Sequence, residues 1–332
     1  MTDSQPLVTV RNLKKHFPLG QGPIDKLLHR EALAVRAVDG VDFDIYPGET
    51  LGLAGESGSG KTTTGRLVLR LLEPTDGTIL FDGQDITHLP ESQLRPLRRR
   101  MQPIFQDPTA SLNPRMTIGQ AIAHGLRIHG LATSADEERA QVLDILAKVG
   151  LTPPEQFINK YPHQLSGGQR QRAVIARALV LRPDLVVADE PIAMADVSVR
   201  AVLLKLMRDL QKEFGLTYLF ITHDLATAKY ICDRIAIMYL GKIVEIGPLP
   251  QVYGNPRHPY TEALLAAVPV PDPEARREQP LPKGEIPSPI HPPAGCRFHP
   301  RCPLAQDICR TQEPTLHPIE GEPDHFVACH LR

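Results

Sequence analysis

Two stretches near the amino end alternate apolar and polar residues, 7–17 ("LVTVRNLKKHF") and 35–45 ("VRAVDGVDFDI"). A period of two sends one face of each to a core and the other to water, so both are predicted as half-buried strands. The loop between them carries Gly20, Gly22 and Pro23. "LVVAD" (185–189) and "TYLFIT" (217–222) are continuously apolar instead, which suits parallel strands buried on both faces. The amphipathic run "AVLLKLMRDLQKEF" between them is predicted as their connecting helix. "GTILFDG" reads as a further strand, and "RIAIMYLGKIVEIG" as a hairpin turning near Gly241. In the middle of the chain Ser134 and Glu137 have capping-box spacing, ahead of Val142, Ile145, Leu146 and Val149 on one helical face. The pattern predicts an α/β protein with a helical insertion.

Composition changes this picture at one end only. A disproportionate share of the 33 prolines falls after Val268, too many for an ordinary helical or sheet core, so a module boundary is predicted between about 245 and 268. At 332 residues the chain has room for one large α/β domain and such a module. A formal net charge of -1 gives no overall electrostatic case for nucleic acid. No apolar run approaches the ~18 residues of a spanning helix, and the first residues lack a signal-peptide pattern. A cytosolic protein that meets a membrane through partners is expected.

"GESGSGKTTTGR" fits G-x-x-x-x-G-K-[ST] at Gly55, Gly60, Lys61 and Thr62, with a strand-like run before it and a helix-like run after it. Backbone N–H groups of Gly55, Glu56, Ser57, Gly58, Ser59 and Gly60, together with Lys61, Thr62 and Thr63, form a candidate triphosphate cradle at a helix start. Lys61 would reach the β and γ phosphates and the Thr62 hydroxyl would ligate Mg2+. Asp189 and Glu190 close the apolar strand 185–188, at the sheet edge where α/β proteins bind ligands. Asp189 is assigned to Mg2+ through water and Glu190 to polarising the attacking water. "LSGGQ" (165–169) has little to pack, but Ser166 can cap a helix whose Gly167 and Gly168 expose N–H groups. That makes a second anion site, suited to the nucleotide of another molecule.

The conjunction resembles the ATP-binding subunits of ABC transporters over nearly the whole chain. The resemblance makes Gln106 in "IFQDP" a Q-loop glutamine that attends the Mg2+ and the reaction, Ser166 to Gln169 the signature, and His223 in "ITHD" the γ-phosphate switch. It places the adenine-stacking aromatic on Phe17, and Asp196 at the contact with the opposite subunit. One departure is "IAMAD" (192–196) where the family usually has "TSALD", which bears on coupling between the two nucleotide sites. The implied fold is a P-loop NTPase: a RecA-like core, an antiparallel β subdomain and a helical subdomain (about 107–168) within residues 1–250. A Cys- and Pro-rich region follows at 251–332.

That C-terminal region resembles ATPases of oligopeptide and dipeptide importers, whose relatives include nickel transporters. Cys296, Cys302, Cys309 and Cys329 have neither zinc-ribbon nor ferredoxin spacing. The spacing points to a four-thiolate site without naming its metal; the resemblance implies a 4Fe-4S cluster, with zinc second and unligated thiols third. Cys232 reads as core. "RPLRRR" (95–100) reads as a solvated charge run, or as a flank of the groove that receives a permease helix. The implied partners are a second ATPase subunit, a paralogue or another copy, two membrane-spanning permease subunits, and a peptide-binding protein outside the membrane. The implied location is the cytoplasmic face of the cell membrane. A soluble ABC-type ATPase is the alternative.

Overall fold

The computed structural model describes residues 5–20, 33–268 and 284–332. Gly22, Pro23 and the prolines of 269–283 lie outside the described residues. Twelve strands are described: β1 (Val8–Pro18), β2 (Ala34–Ile45), β3 (Thr50–Ala54), β4 (Asp76–Phe81), β5 (Gln84–Asp85), β6 (Met101–Ile104), β7 (Leu185–Asp189), β8 (Thr217–Thr222), β9 (Arg234–Tyr239), β10 (Lys242–Pro248), β11 (His317–Ile319) and β12 (Glu322–Val327). The chain divides into two compact units, one holding Tyr46–Thr50 and Leu89–Phe220, the other Pro6–Ile45, Leu51–His88 and Ile221–Arg332.

In the first unit β7 lies between β6 and β8, and β6 runs parallel to β7, pairing Met101 with Leu185 and Ile104 with Ala188. Every residue of β7 and β8 is buried, the two-sided burial that their unbroken apolar runs predict. Four helices, Pro108–Ser111, Ile118–His129, Ala135–Lys148 and Pro154–Ile158, separate β6 from the helix Gly167–Leu179. Val142, Ile145, Leu146 and Val149 are buried together, as their helical spacing requires. The capping box expected there closes on one side only. Ser134 accepts from the Glu137 N–H at 3.2 Å, but the Glu137 carboxylate turns to the Thr133 N–H (2.7 Å) and hydroxyl (2.6 Å). Full reciprocal boxes form at Thr117/Gln120 and Ser166/Gln169.

In the second unit β1 lies between β2 and β4 in an antiparallel sheet, with Val10 opposite Phe43 and Ile79. The order β11-β12-β10-β9-β3 is this unit's part of a longer sheet, in which β3 runs parallel to β9 and the other pairs named are antiparallel. β9 and β10 are the expected hairpin, turning at Leu240 and Gly241, both at positive φ. Cys232 is buried where a Cβ on Gly52 would meet its sulfur at 2.7 Å, so it is core as expected. The last strand thus returns to the sheet: Glu245 pairs with Val327, Ile246 with Phe326, and the Ala328 N–H donates to the Val244 carbonyl at 2.8 Å.

Candidate functional site

The phosphate-loop sequence lies between β3 and the helix Lys61–Val68, a strand–loop–helix arrangement. Glycine is obligatory at two points of the loop. Gly55 (φ 153°) and Gly60 (φ 106°) approach so closely that a Cβ would stand 2.2 Å from the Met238 carbonyl oxygen and 2.1 Å from that of Ala37. The Gly241 N–H holds the far side of the loop by donating to the Ser59 carbonyl at 2.8 Å. No side chain caps the helix at Gly60, so an anion completes this terminus without displacing a cap. The Lys61 ammonium donates to the carbonyls of Gly55 and Glu56, both at 2.8 Å. Ser57, Gly58 and Thr62 are exposed, and Ser59 and Lys61 are buried. A phosphate group fits this donor set. The Glu56 side chain does not share in it: its carboxylate turns to Arg301, with Nη1–Oε2 2.7 Å and Nη2–Oε1 3.1 Å.

In the first unit β7 delivers Asp189, buried, and Glu190, half-buried, at its carboxyl end. Glu190 has φ 48°, a left-handed backbone that costs a residue with a Cβ about 1 kcal/mol or more. Gln106, exposed just after β6, donates from Nε2 to the Glu190 carboxylate at 3.1 Å. The parallel pairing of β6 and β7 therefore joins two predicted site residues 84 positions apart. Asp189 ends the same strand, one residue before Glu190.

Ser166 begins the helix Gly167–Leu179, accepting from the Gln169 N–H at 3.3 Å while the Gln169 side chain accepts from the Ser166 N–H at 3.1 Å. Part of the signature's chemistry is thus spent on the helix start itself. Arg170 ties the segment down through the carbonyls of Pro162 (3.1 Å) and Leu165 (3.2 Å). The unusual "IAMAD" segment is a run of tight turns, with the Ala193 N–H to the Glu190 carbonyl and the Ala195 N–H to the Ile192 carbonyl, both 3.1 Å. Arg200 fastens the Ala195 carbonyl at 2.9 Å. Backbone contacts carry this loop, so it forms without the hydroxyl side chains usual there. Met194 and Asp196 stay exposed.

Phe17 lies at the end of β1, 37 % exposed, with the Lys15 ammonium 5.2 Å from its ring centre. His223 follows β8 and is exposed, and the next residue, Asp224, caps the helix Leu225–Ile231. The arginine run is partly structural: Arg100 pairs with Asp184 at 2.5 Å, and Arg98 pairs with Glu91.

The cysteine site departs from expectation. Among the described residues no group of three or more His, Cys, Asp or Glu side chains is arranged to hold a metal ion. Cys296 and Cys302 bound a turn, Cys309 is on the short helix Asp307–Thr311, and Cys329 follows β12. These elements bring the four thiols within electrostatic range of one another without forming a ligand set. Burial, reinforced by the neighbouring sulfurs, pushes the Cys296 thiol up to about 11.

Sequence reading missed the arginines between these cysteines. Arg297 is buried and donates to the Leu240 carbonyl and to Asp39, whose carboxylate also pairs with His16 at 2.8 Å. Burial would raise the Asp39 pKa, but His16 and Arg297 outweigh it and hold the carboxyl below its ordinary range. The only signal in the sequence is "CRFHPRC" itself.

Comparison with known proteins places this geometry among relatives. The ABC transporter family matches residues 38–193, and the family described as oligopeptide/dipeptide transporter, C-terminal region, matches residues 244–309. A putative peptide import ATP-binding protein of Brucella ovis is 52% identical over 330 residues, covering 99% of this chain and 98% of the relative. The oligopeptide transport ATP-binding protein AppF of Bacillus subtilis is 49% identical over 332 residues, covering 99% and 98%. Among solved structures, the dimeric post-hydrolysis ATP-binding cassette MJ0796 with ADP and Pi is similar with a TM-score of 0.63 and 30% identity, covering 73% of this chain and 98% of that one. The cbiO1 component of the Clostridium perfringens cbiONQ transporter has a TM-score of 0.63 and 28% identity, covering 75% and 91%.

Proposed function

The chain belongs to the ATP-binding subunits of ABC transporters, and on that premise we propose that it hydrolyses ATP to power import of dipeptides or oligopeptides across a membrane. The observation that carries the peptide reading is the extent of the likeness, which runs through the oligopeptide/dipeptide-type region at 244–309 and along the whole of a relative named for oligopeptide transport.

In this reading residues 1–250 are the nucleotide-binding domain and 251–332 the importer-type C-terminal region. Lys61 and the N–H groups of Gly55–Thr63, other than that of Glu56, which donates to the Tyr260 hydroxyl, bind the phosphates, and Phe17 stacks on the adenine. Thr62, Gln106 and, through water, Asp189 would hold Mg2+, which would offset the negative charge of the β and γ phosphates. Glu190 accepts the proton of the attacking water, with its carboxylate oriented by Gln106. His223 contacts the γ-phosphate. Ser166, Gly167, Gly168, Gln169 and Asp196 serve the nucleotide of a second ATPase subunit, in keeping with the dimer formed by the MJ0796 cassette. Closure of that dimer drives two permease subunits at the cytoplasmic face of the membrane, with a peptide-binding protein delivering cargo from outside. The four cysteines are assigned a stapling role through a bound metal, 4Fe-4S or zinc, on the likeness of their region to the oligopeptide/dipeptide transporter C-terminal family.

Glu190→Gln tests the reaction. In the complex purified with its membrane subunits and reconstituted in vesicles, the variant is expected to bind ATP while turnover falls at least ~10²-fold, about 2.7 kcal/mol of barrier. Uptake of labelled oligopeptide should fall with it. Near-parental turnover moves the base elsewhere. ATP-dependent uptake of nickel with no peptide uptake overturns the cargo but keeps the machine.

A further inference from the structure

We propose that Arg301 and Tyr260 are positioning residues for the phosphate loop, so that the cysteine-bearing C-terminal segment sets this chain's affinity for nucleoside triphosphate. The proposal rests on reading Gly55–Thr63 as the phosphate loop, and the experiment separates the two.

Glu56, second residue of that loop, is held at every polar atom. Its N–H donates to the Tyr260 hydroxyl at 2.8 Å, its carbonyl accepts from the Lys61 ammonium at 2.8 Å, and both carboxylate oxygens take the Arg301 guanidinium. The two-pronged ion pair fixes direction as well as distance. Its basic half is itself held: the Arg301 side chain is 7 % exposed, with its guanidinium 5.8 Å and 5.9 Å from the ring centres of Tyr239 and Phe298. Tyr260 is buried against the same rings, at 4.7 Å and 5.4 Å. The turn Cys296–Cys302 that carries Arg301 is closed by its own backbone hydrogen bonds, the His299 N–H to the Cys296 carbonyl (3.0 Å) and the Arg301 N–H to the Phe298 carbonyl (2.9 Å). From that turn Arg297 grips the Leu240 carbonyl, next to Gly241, whose N–H holds the Ser59 carbonyl. One short turn thus holds the start of the loop directly, at Glu56, and its middle, at Ser59, through the β9–β10 turn.

This grip is more than packing because of what Lys61 must do. The ammonium that binds phosphate oxygens is also the fastener of the Gly55 and Glu56 carbonyls. Once it turns to a phosphate, the loop keeps its shape through the Tyr260 and Arg301 anchors, and a loop ordered beforehand loses less entropy on binding. Charge acts in the same direction. Without Arg301, the Glu56 carboxylate would stand unpaired within the loop and repel the triphosphate.

The test uses the full chain and displacement of a fluorescent ATP analogue by Mg-ATP, with thermal melts run on every variant. Arg301→Gln is expected to weaken ATP about tenfold, equivalent to about 1.4 kcal/mol. Arg301→Lys should fall between, because it keeps the charge but not the fork. Adding Glu56→Gln to Arg301→Gln should recover most of the affinity, a coupling that a merely structural arginine would not give. Tyr260→Phe removes one hydroxyl from a retained ring and is expected to weaken ATP severalfold while the chain still folds. ATP affinities within twofold of the parent in both Arg301→Gln and Tyr260→Phe overturn the proposal, and so do additive losses in the double variant. Lys61→Ala should abolish binding; undiminished binding there instead refutes the phosphate-loop reading, and the proposal with it.

Discussion

Replacing Glu245 by glutamine should loosen the C-terminal strand. Glu245 is fully buried on β10, where Oε1 accepts from the Arg257 N–H (2.8 Å) and His325 Nε2 (2.7 Å) and Oε2 accepts from the His258 N–H (2.9 Å). His325 Nδ1 faces Glu322 Oε2 at 2.7 Å, so both ring nitrogens meet carboxylates and the imidazolium is the form that satisfies them. An amide has one oxygen. With that oxygen at the Oε1 position, its NH2 group faces the His258 N–H donor to donor; reversed, it faces Arg257 and His325. The better orientation still leaves a buried backbone N–H unpaired, worth about 1–3 kcal/mol, and takes the charge from beside the imidazolium. Breaking a buried pair by removing one partner costs about 3–5 kcal/mol, and Glu322, which stays paired to His325, keeps the expected total near about 3 kcal/mol. Urea unfolding followed by circular dichroism, with hydrogen exchange at the amides of 322–328, measures it. A loss below about 1 kcal/mol with unchanged exchange would refute the reasoning. The pH dependence has a definite sign. Burial pulls the His325 pKa down, but Glu245 and Glu322 outweigh it and leave it above its ordinary 6.5. Its stabilisation is therefore complete below 6.5 and fades as pH climbs through the raised value. Glu322, hydrogen-bonded to His325 and Arg257, lies below its ordinary 4.5, so its share is present above 4.5 and lost on acidification. Strand pairing should be firmest between about pH 5 and 6.5, and the alkaline loss should shrink in Glu245→Gln.

Ser166→Arg should block ATP-driven dimer closure in the assembled complex while the isolated chain still binds ATP, as read by size-exclusion chromatography and nucleotide titration; loss of binding in the isolated chain would mean that the signature acts on its own nucleotide. The substitution also removes a helix cap, so a fall of about 1 kcal/mol in stability should accompany it. The proposed staple predicts that chain purified anaerobically carries about four irons and four sulfides, or one zinc, and that Cys302→Ser or a chelator releases the metal and exposes the chain after residue 268 to protease. Metal-free protein with a protease-resistant tail would refute the staple.

Much of the candidate site's geometry was legible because it is written in contiguous residues. Gly55 and Gly60 are glycines because a Cβ at either would collide with a backbone carbonyl, a demand that repeats wherever a loop closes on phosphate. The buried strands could be read as runs because two-sided burial removes the polar alternation, and β7 then delivers Asp189 and Glu190 to one sheet edge. Other features were read for a single role and have two. Gln169, expected as an anion donor, also closes its own helix, and Glu56, counted in the cradle, points its carboxylate away from it.

What stayed hidden is long-range. Arg301 and Glu56 are 245 positions apart, and Arg297 and Asp39 are 258 apart, and no period or spacing in the sequence pairs them. Cysteine spacing drew attention to "CRFHPRC" as a set of sulfurs, whereas its two arginines make the defined contacts. The reason is chemical. A thiol is a weak hydrogen-bonding group that places few demands on its surroundings, but a buried guanidinium must find acceptors for the chain to fold at all. The turn's arginines are therefore fixed by folding. A metal at the proposed staple would act on a turn whose Arg297 and Arg301 already reach the β9–β10 turn and the phosphate loop, so the two proposals make one joint prediction: removing the metal should weaken ATP in the parent chain more than in Arg301→Gln.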